Sequence, residues 1–343
     1  MKKNLIVTLI ISTWLNSICH SNVVFDYSPI GKVESLYCLP GLNLIIISKE
    51  QNYGLYRIDL NSTDFPWNNN YPNKVVGVTN PTTDFNPIML RLNEYDINAV
   101  SYSEKTLSVE LFSSKSILYT KPVDGFFDPS SLATSIYGTL MLSENSYNQS
   151  IEIHDIVTGE LVRAFITDGS DFSVYNEFLA ISPNGGFGLL IDNPSQNANC
   201  EITSLNIVDG THQRIIINNR KSYSAKYSPS SQYLAIENFI STDSLSYSLK
   251  IADPLMLTTI RDFTVGQYFM HINDYEFTPD GNKIAVLDND KIVLIDIIDL
   301  TTTSLPLPEG EMPKLLTFSP DGSRIFVVMQ SEKIHQFYRT PSP

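Results

Sequence analysis

The sequence predicts an all-β fold that is built from repeated strands and tight turns. One phrase recurs, in which an apolar run is followed by Ser or Thr with Pro, a small polar turn and a second apolar run. The clearest copies are ISPNGGFGLLI, YSPSSQYLAIE, FTPDGNKIAVL and FSPDGSRIFVV, around Pro183, Pro229, Pro279 and Pro320. Proline presets the first turn position, and Asp, Asn, Ser and Gly tolerate the positions after it. Each copy therefore predicts a strand, a turn and a second strand, while the period of an amphipathic helix is essentially absent.

The repeat has a period of about 47 residues. Successive prolines of the four clear copies stand 46, 50 and 41 residues apart, and a weaker copy, YCLPGLNLIII, surrounds Pro40. The gap between Pro40 and Pro183 has room for two further units. Residues 88–120 and 131–166 each contain four short alternating runs separated by polar residues, and they fill that gap. Seven units of up to four strands therefore span the chain.

The third strand of several units ends in aspartate. The four runs are YRID, EIHD, KIAD and VLID, which end at Asp59, Asp155, Asp253 and Asp296. An aspartate carboxylate accepts hydrogen bonds from backbone amides two residues further on, which would fix the turn into the fourth strand. A ring of catalytic acids is the functional alternative. Because the folding of a repeat demands one acid per unit at one structural position, we expect these residues to be structural.

Residues 1–21 have the pattern of a secretory signal peptide. Two lysines precede an uncharged apolar run of eleven residues, and Cys19 and Ser21 suit a cleavage after either of them. A transmembrane helix needs about 20 apolar residues, so this run is too short to be one, and no later run reaches membrane length. The alternative is a lipoprotein signal with Cys19 as the acylated residue. We expect an extracytoplasmic protein, secreted or periplasmic, whose folded domain is residues 22–343.

Composition and charge limit the partners of this chain. It is 42% hydrophobic and 17% charged, which is typical of a folded chain with a large core. Its 23 Lys and Arg residues against 37 Asp and Glu residues give a formal net charge of −14. A chain this acidic repels phosphate backbones and anionic lipid surfaces, so we expect no nucleic acid partner.

Three stretches resemble the repeats of WD40-like and YVTN-type β-propellers. They are SPDGSRIFVV, TPDGNKIAVL and IEIHDIVTGELVRAF, and the resemblance extends over nearly all of residues 23–339. It implies a seven-bladed β-propeller with four-stranded antiparallel blades. The family includes scaffolds, binding proteins, sugar-lactone hydrolases and the periplasmic TolB, so the resemblance predicts the fold and leaves the activity open. The chain lacks the Trp-Asp dipeptide of strict WD40 repeats and the extra N-terminal domain of TolB.

The last blade needs a strand from the N-terminal part of the chain. The final unit supplies three strands, KLLTFSP, RIFVVM and KIHQFYR. The segment VVFDYS, residues 23–28, precedes the first unit and has no partner in it. We expect it to pair beside residues 333–339 as the fourth strand, since this closes the ring without an exposed sheet edge. The same ring places Cys38 in the first blade and Cys200 in the fourth, too far apart for a disulfide.

Acidic and aromatic residues recur at the connections between blades. In a propeller these connections and the loops between the second and third strands emerge on one face, and such loops often carry function. The residues of this acidic-aromatic rim are Asp84, Phe85, Asp124, Phe126, Phe127, Asp128, Asp168, Asp171, Phe172, Tyr268, Phe269, His271, Glu309 and Glu311. The rim suits a cationic peptide, a basic protein patch or a polar ligand. In the alternative interpretation, the rings close gaps between blades and the acids keep the edge soluble.

Trp67 is a further candidate for a binding contact. It lies in the longest insertion, STDFPWNNNYPN, where Phe65 and Tyr71 flank it. An exposed tryptophan can anchor an interface, or its ring can fold back onto its own blade. The DND sequence at residues 288–290 lacks the rest of a calcium loop and predicts a two-residue hairpin turn.

The chain contains no recognisable catalytic motif. Its histidines are scattered without the spacing of a zinc site, and no nucleophile elbow, phosphate loop or dinucleotide fingerprint occurs. We predict no catalytic residues, no metal ligands and no cofactor, and we expect a monomeric binding or scaffolding module for a protein or peptide. The alternative is a hydrolase of the lactonase type with a divalent cation in the channel, because propeller enzymes often assemble their sites from residues far apart in sequence.

Overall fold

The computed structural model describes strands from most of the chain and nearly all of its last third. The described residues are 22–26, 32–39, 43–49, 53–59, 86–92, 97–103, 106–111, 116–122, 132–134, 140–145, 150–155, 157–166, 178–192, 200–217, 220–240, 246–264, 266, 268–331 and 333–338. The predicted signal peptide, residues 1–21, lies outside them. Every regular element in these ranges is a β-strand. None of the described residues forms a helix that is long and apolar enough to cross a membrane.

Twenty-seven strands form seven antiparallel sheets in the described part of the chain. We number the sheets in chain order from the second strand, because β1 (Asn22–Asp26) belongs to the last sheet. Sheet 1 contains β2 (Lys32–Leu39), β3 (Asn43–Lys49) and β4 (Tyr53–Asp59). Sheet 2 contains β5 (Asn86–Leu92), β6 (Ile97–Ser103), β7 (Thr106–Leu111) and β8 (Ser116–Pro122). Sheet 3 contains β9 (Leu132–Thr134), β10 (Leu140–Asn145), β11 (Ser150–Asp155) and β12 (Leu161–Ile166).

The remaining four sheets have the same plan. Sheet 4 contains β13 (Phe178–Ile181), β14 (Phe187–Asp192), β15 (Cys200–Asn206) and β16 (His212–Ile217). Sheet 5 contains β17 (Arg220–Tyr227), β18 (Leu234–Ile240), β19 (Ser246–Ala252) and β20 (Thr259–Thr264). Sheet 6 contains β21 (Asp274–Phe277), β22 (Lys283–Leu287), β23 (Lys291–Asp296) and β24 (Thr302–Pro306). Sheet 7 contains β25 (Pro313–Phe318), β26 (Arg324–Met329) and β27 (Lys333–Tyr338), with β1 beside β27.

Successive sheets meet through their first strands. Within each sheet, strands that follow one another in the chain pair side by side, as in the blades of a propeller. The first strands then lie against one another in the order β5, β9, β13, β17, β21, β25 and β2. Sheets 1 and 2 are connected by residues 60–85, which lie outside the described residues. The described sheets therefore support a β-propeller-like fold.

The N-terminal strand completes sheet 7, as the sequence predicts. β1 pairs antiparallel with β27, with Val23 opposite His335 and Asp26 opposite Lys333. Without this strand, β27 would present an edge of unpaired backbone groups. The pairing therefore joins two distant parts of the chain in one sheet.

A buried hydroxyl holds the recurring Ser-Pro or Thr-Pro turn. In sheet 6, Thr278 Oγ1 donates to Asp280 Oδ1 at 2.5 Å. Gly281 follows with a φ of +73°, a left-handed conformation that glycine adopts without strain. Ser231 takes the same place in sheet 5 with a φ of +59°. Its Oγ accepts the backbone N–H of Asn184, in the equivalent turn of sheet 4, at 3.2 Å, so the turns of neighbouring sheets touch.

The aspartates at the ends of third strands hold the next turn, which confirms the structural role predicted for them. Asp155 Oδ1 accepts the backbone N–H groups two and three residues further on, both at 2.8 Å. Asp253 and Asp296 accept the equivalent amides. Asn206 replaces the acid in sheet 4 and makes the same two bonds, so an amide oxygen suffices. The turn that follows Asp59 lies outside the described residues.

The hydrophobic core lies between adjacent sheets. Between sheets 5 and 6, Phe263, Phe269 and Tyr275 are at most 2% exposed and pack with Val286 and Ile295. Equivalent apolar layers join sheets 3 and 4, sheets 4 and 5, and sheets 6 and 7. A sheet that has a neighbour on each side, such as sheet 6, is therefore apolar on both faces. This explains why its middle strands are almost continuously hydrophobic.

The two cysteines of the predicted domain lie on different sheets. Cys38 is on β2 in sheet 1, and Cys200 begins β15 in sheet 4. Burial, and then the carboxylate of Asp321, raise the pKa of the Cys38 thiol to about 12. Since the thiolate is the reactive form, this thiol contributes packing and not nucleophilic chemistry at neutral pH.

Candidate functional site

Most of the residues that the sequence predicts to bind a partner lie outside the described part of the chain. Residues 123–131 contain Asp124, Phe126, Phe127 and Asp128, residues 167–177 contain Asp168, Asp171 and Phe172, and residues 60–85 contain Trp67. Their role stays a prediction. The described members of the rim are Tyr268, Phe269, His271, Glu309 and Glu311.

Tyr268 and Phe269 pack inward at the connection between sheets 5 and 6. Phe269 is 2% exposed and belongs to the apolar layer between these sheets. The partly buried ring of Tyr268 meets Phe263 edge to face, with ring centroids 5.2 Å apart and an interplanar angle of 78°. At this one connection the aromatic rings close the gap between two sheets, as the alternative interpretation of the rim describes.

The side chain of Asp288 holds the same connection by accepting hydrogen bonds from the backbone of that connection. Its carboxylate is 1% exposed and accepts the N–H groups of Met270 at 2.9 Å and His271 at 3.0 Å. The N–H of Asp288 donates to the carbonyl of Lys291 at 2.9 Å, which confirms the predicted two-residue hairpin turn. Sequence reasoning missed the anchoring role, because the acceptor and its donors are 18 and 17 residues apart.

The connection between sheets 6 and 7 is tied to the turns on both of its sides. The N–H of Leu307 donates to the carbonyl of Asp290 at 2.9 Å. The N–H of Gln330 donates to the carbonyl of Met312 at 2.8 Å. The connection is therefore held by backbone hydrogen bonds to the turn of sheet 6 and to the turn of sheet 7.

Glu311 reinforces the second of these contacts with its side chain. Its carboxylate accepts a hydrogen bond from Ser331 Oγ at 2.9 Å, and Lys333 Nζ lies 3.4 Å from the other oxygen. His335 Nε2 lies 3.1 Å from the oxygen that Ser331 contacts. Burial alone would raise the pKa of Glu311, but the Ser331 bond and the charges of His335 and Lys333 outweigh it and lower that pKa. The carboxylate therefore stays ionised at neutral pH.

These contacts join four segments into one surface. The four segments are residues 268–273, 288–290, 307–312 and 330–331. We call them the linked loops. Their exposed side chains include Met270, His271, Asp290, Glu309 and Met312. Thioether side chains adapt to irregular apolar surfaces, and exposed acids attract cations. The linked loops can therefore offer apolar contact and negative charge on a backbone that is already ordered.

A second polar cluster lies where the first strands of sheets 5, 6 and 7 meet. Lys226 Nζ on β17 donates to Asp274 at 2.9 Å and to Glu276 at 3.2 Å, both on β21. The same ammonium lies 5.3 Å from the centroid of the Tyr275 ring. The carboxylate of Asp274 also accepts the backbone N–H of Leu316 on β25 at 2.9 Å. One carboxylate therefore connects three sheets.

Ser224 and Glu237 extend this cluster into the gap between sheets. Ser224 Oγ lies 2.8 Å from the Glu237 carboxylate and 3.0 Å from the Tyr275 hydroxyl. Burial raises the pKa of Glu237 and of Glu276. Burial alone would lower the pKa of Lys226, but the neighbouring carboxylates outweigh it and raise that pKa. Because Lys226 and Asp274 connect the first strands of sheets 5, 6 and 7, we interpret the cluster as a joint between sheets.

The sequence contains a signal for this joint, although the sequence analysis does not predict the joint. Lys226 and Glu276 each stand two residues before the Ser or Thr of the recurring turn, in consecutive units and with opposite charge. Opposite charges at one position of adjacent strands are a favourable pair. Within the described ranges, no group of three or more His, Cys, Asp or Glu side chains is placed to hold a metal ion.

The chain resembles known proteins in fold alone. No family model matches it, and no curated protein matches it. Among solved structures it is similar to hydrazine synthase from Kuenenia stuttgartiensis, a β-propeller-containing protein, with a TM-score of 0.50 and 14% identity. The match covers 74% of this chain and 77% of that one. This likeness shows a β-propeller-like fold and indicates no activity, since one fold hosts many functions.

Proposed function

We propose that this chain is an extracytoplasmic β-propeller that binds a protein or peptide with a basic surface through the linked loops. The observation that carries the proposal is the buried carboxylate of Asp288, which fixes the backbone of Met270 and His271 while their side chains stay exposed. A loop that is ordered before its partner arrives loses less conformational entropy on binding. The linked loops therefore have a property that favours a binding surface.

The proposal includes a closed ring of seven blades. The order of the seven sheets, the contacts between their first strands and the pairing of β1 with β27 support it. In such a ring, the connections between blades emerge on one face. The rim residues in 123–131 and 167–177 would then share that face with the linked loops.

The charge of the chain supports the choice of partner. Asp290 and Glu309 are exposed acids of the linked loops, and the whole chain carries a formal charge of −14. Exposed like charges on one face attract an oppositely charged partner and raise its association rate. Met270 and Met312, which are 58% and 45% exposed, would supply the apolar part of the contact.

The test compares partner capture by the wild-type protein and by charge-reversed variants, using the extracytoplasmic fraction of the native source. Asp290→Lys with Glu309→Lys reverses the exposed acids of the linked loops. A second variant extends the reversal to the rim acids Asp124, Asp128, Asp168 and Asp171. We expect both variants to lose the partner. The association rate of the wild type should fall as salt rises, because exposed charges are screened beyond about 8–10 Å.

A matched control carries the same change of charge elsewhere. Glu160→Lys with Asp262→Lys reverses two exposed acids outside the linked loops and should retain the partner. Equal capture by the control and by both reversed variants would contradict the proposal. Circular dichroism of each variant shows that the fold is kept, so that loss of capture reports on binding.

A further inference from the structure

Exposed apolar side chains recur on the turns between the third and fourth strands of sheets 3 to 6. They are Val157, Val208, Met256 and Ile298, one in each of these sheets. Val208 and Ile298, which are 72% and 67% exposed, both stand two residues after the side chain that holds the turn. Single exposed apolar residues are normal on a protein surface, but a contiguous group marks an interaction site.

Contacts between neighbouring sheets join these four turns. A Cβ atom at Gly210, in the turn of sheet 4, would lie only 3.3 Å from the ring of Phe165 on sheet 3. Ser204 Oγ of sheet 4 donates to the carbonyl of Pro254 in the turn of sheet 5. The guanidinium of Arg261 on sheet 5 donates to two carbonyls in the turn of sheet 6, at 3.1 Å and 3.2 Å. We call the joined turns the turn arc, which comprises residues 157–160, 206–211, 253–258 and 296–301. Antiparallel strands turn alternately at the two ends of a sheet, so the turn arc lies at the opposite end from the linked loops.

Leu300 occupies a strained position of the turn arc although its side chain is exposed. Its φ is +64°, and the equivalent places in sheets 3 and 4 hold Gly159 and Gly210. Leu257 occupies this place in sheet 5 with a φ of +55°, but its side chain is 5% exposed and packs between sheets 4 and 5. Leu300 is 37% exposed, so burial compensates its strained backbone far less. Strained residues cluster at sites that contact ligands, which favours a binding role for this leucine.

Two turns of the arc place a negative charge directly beside the apolar side chain. Asp209 and Asp299 follow the exposed apolar residues of sheets 4 and 6, and both acids are exposed. Their carboxylates accept hydrogen bonds from the hydroxyls of Thr211 and Thr301, both at 2.7 Å. These bonds lower the pKa of both carboxyl groups, which therefore stay ionised at neutral pH. Such a surface complements a partner that carries apolar and cationic groups, whereas a second copy of this chain would bring like charges together.

We propose that the turn arc is a second docking surface, which binds a cationic amphipathic segment of a partner protein. The apolar side chains of the segment pack on Val208, Met256 and Ile298. Its lysine or arginine side chains lie beside Asp209 and Asp299. This surface goes beyond the proposed function, because it lies at the other end of the sheets and needs no residue of the linked loops.

The test measures binding of a fluorescein-labelled peptide of alternating leucine and lysine to the purified protein by fluorescence anisotropy. The parent protein carries Asp290→Lys with Glu309→Lys, so that the exposed acids of the linked loops cannot attract the peptide. Adding Val208→Ser with Ile298→Ser should raise the dissociation constant about tenfold or more, because it removes two apolar contacts. Circular dichroism of each variant shows that the fold is kept.

Two further variants separate apolar contact from charge. Asp209→Asn with Asp299→Asn keeps the oxygens that hold the threonines and should weaken binding by about two- to fivefold for each exposed ion pair that is lost. Ile216→Ser with Tyr338→Ser is the matched control, because it removes two exposed apolar side chains outside the turn arc and should bind the peptide as the parent does.

Leu300→Gly separates binding from folding. It should weaken peptide binding without lowering the thermal midpoint, because glycine adopts the left-handed backbone without strain. Leu257→Gly changes the equivalent buried leucine and should lower the midpoint, because it removes a side chain from the layer between sheets 4 and 5. A lower midpoint with unchanged peptide binding in Leu300→Gly would contradict the binding role of Leu300.

Three results would overturn the docking surface. The first is that the parent does not bind the peptide, or binds it no better than the variant with Val208→Ser and Ile298→Ser. The second is equal binding of a peptide of alternating serine and lysine, because charge alone would then explain the attachment. The third is a dimer of the wild-type protein, seen by sedimentation velocity, that this pair of substitutions abolishes, because the turn arc would then bind a second copy. The peptide assay uses the charge-reversed parent, so its failure is distinguishable from failure of the capture experiment.

Discussion

Replacing Asp288 by alanine should release the connection between sheets 5 and 6. The carboxylate accepts the backbone N–H groups of Met270 and His271 from that connection, and of Asn289 from its own turn. A hydrogen bond to a charged group contributes about 1.5–3 kcal/mol to stability. Met270 and His271 are exposed residues, so water can partly replace the carboxylate at their amides. We therefore expect Asp288→Ala to lower the free energy of unfolding by about 2–4 kcal/mol, against a typical total of about 5–15 kcal/mol.

Urea unfolding followed by circular dichroism measures this loss. The midpoint should fall while the slope stays constant, because the substitution changes little of the surface exposed on unfolding. Asp288→Asn keeps one acceptor oxygen and should lose about half as much. Asp290→Ala is the matched control, because its side chain is 80% exposed and surface substitutions change stability by about 0.5 kcal/mol or less.

Amide exchange at Met270 and His271 locates the loss. Both amides should exchange faster in Asp288→Ala, while the amides of β22 and β23 keep their order of protection. A loss below about 1 kcal/mol with unchanged exchange at these two amides would refute the anchoring role. The connection would then be held by the packing of Phe269, and the main support for a preordered binding surface would be gone.

Two further substitutions test the joint between sheets and the repeated turn. Lys226→Met should cost about 1–2 kcal/mol near neutral pH, less than a fully buried pair, because the side chains of Lys226 and Glu276 are 33% and 36% exposed. The loss should shrink as the pH falls, because burial already raises the pKa of Glu276 and its protonation relieves the unpaired charge. Urea unfolding at several pH values measures it, with Lys250→Met as control, and a loss independent of pH would contradict the joint. Asp253→Ala should cost about 1 kcal/mol in thermal unfolding and Asp253→Asn much less, whereas equal losses would contradict its role in the turn.

The turns are predictable from the sequence because their chemistry is local. Thr278 contacts Asp280 two residues away, and Asp155 accepts amides two and three residues away. Residue types at fixed spacing are therefore enough to specify these bonds. β1 is predictable for a different reason, since three strands in the last unit leave one edge that a segment of the right pattern can cover.

The contacts of the candidate site are not local, which is why the sequence predicts them poorly. Lys226 and Asp274 are 48 residues apart, and Asp288 and Met270 are 18 residues apart. Sequence reasoning placed Phe269 correctly at a connection between blades, but periodicity does not tell whether a ring at that place points outward or inward. The structure buries this ring in the layer between sheets 5 and 6.

In sheets 5 to 7, the two ends of the sheets are stabilised in different ways, and this difference bears on the proposed function. At one end, acids such as Asp253 and Asp296 bond within their own turns, and these turns recur from sheet to sheet. At the other end, Asp288 and Glu311 reach from one segment to another through contacts that differ between the two described connections. Side chains at this second end can therefore vary between blades without altering the turns that specify the repeat. It follows that the repeats reveal the fold and not a partner, and that reversing the exposed charges of the linked loops should change the proposed binding without unfolding the chain.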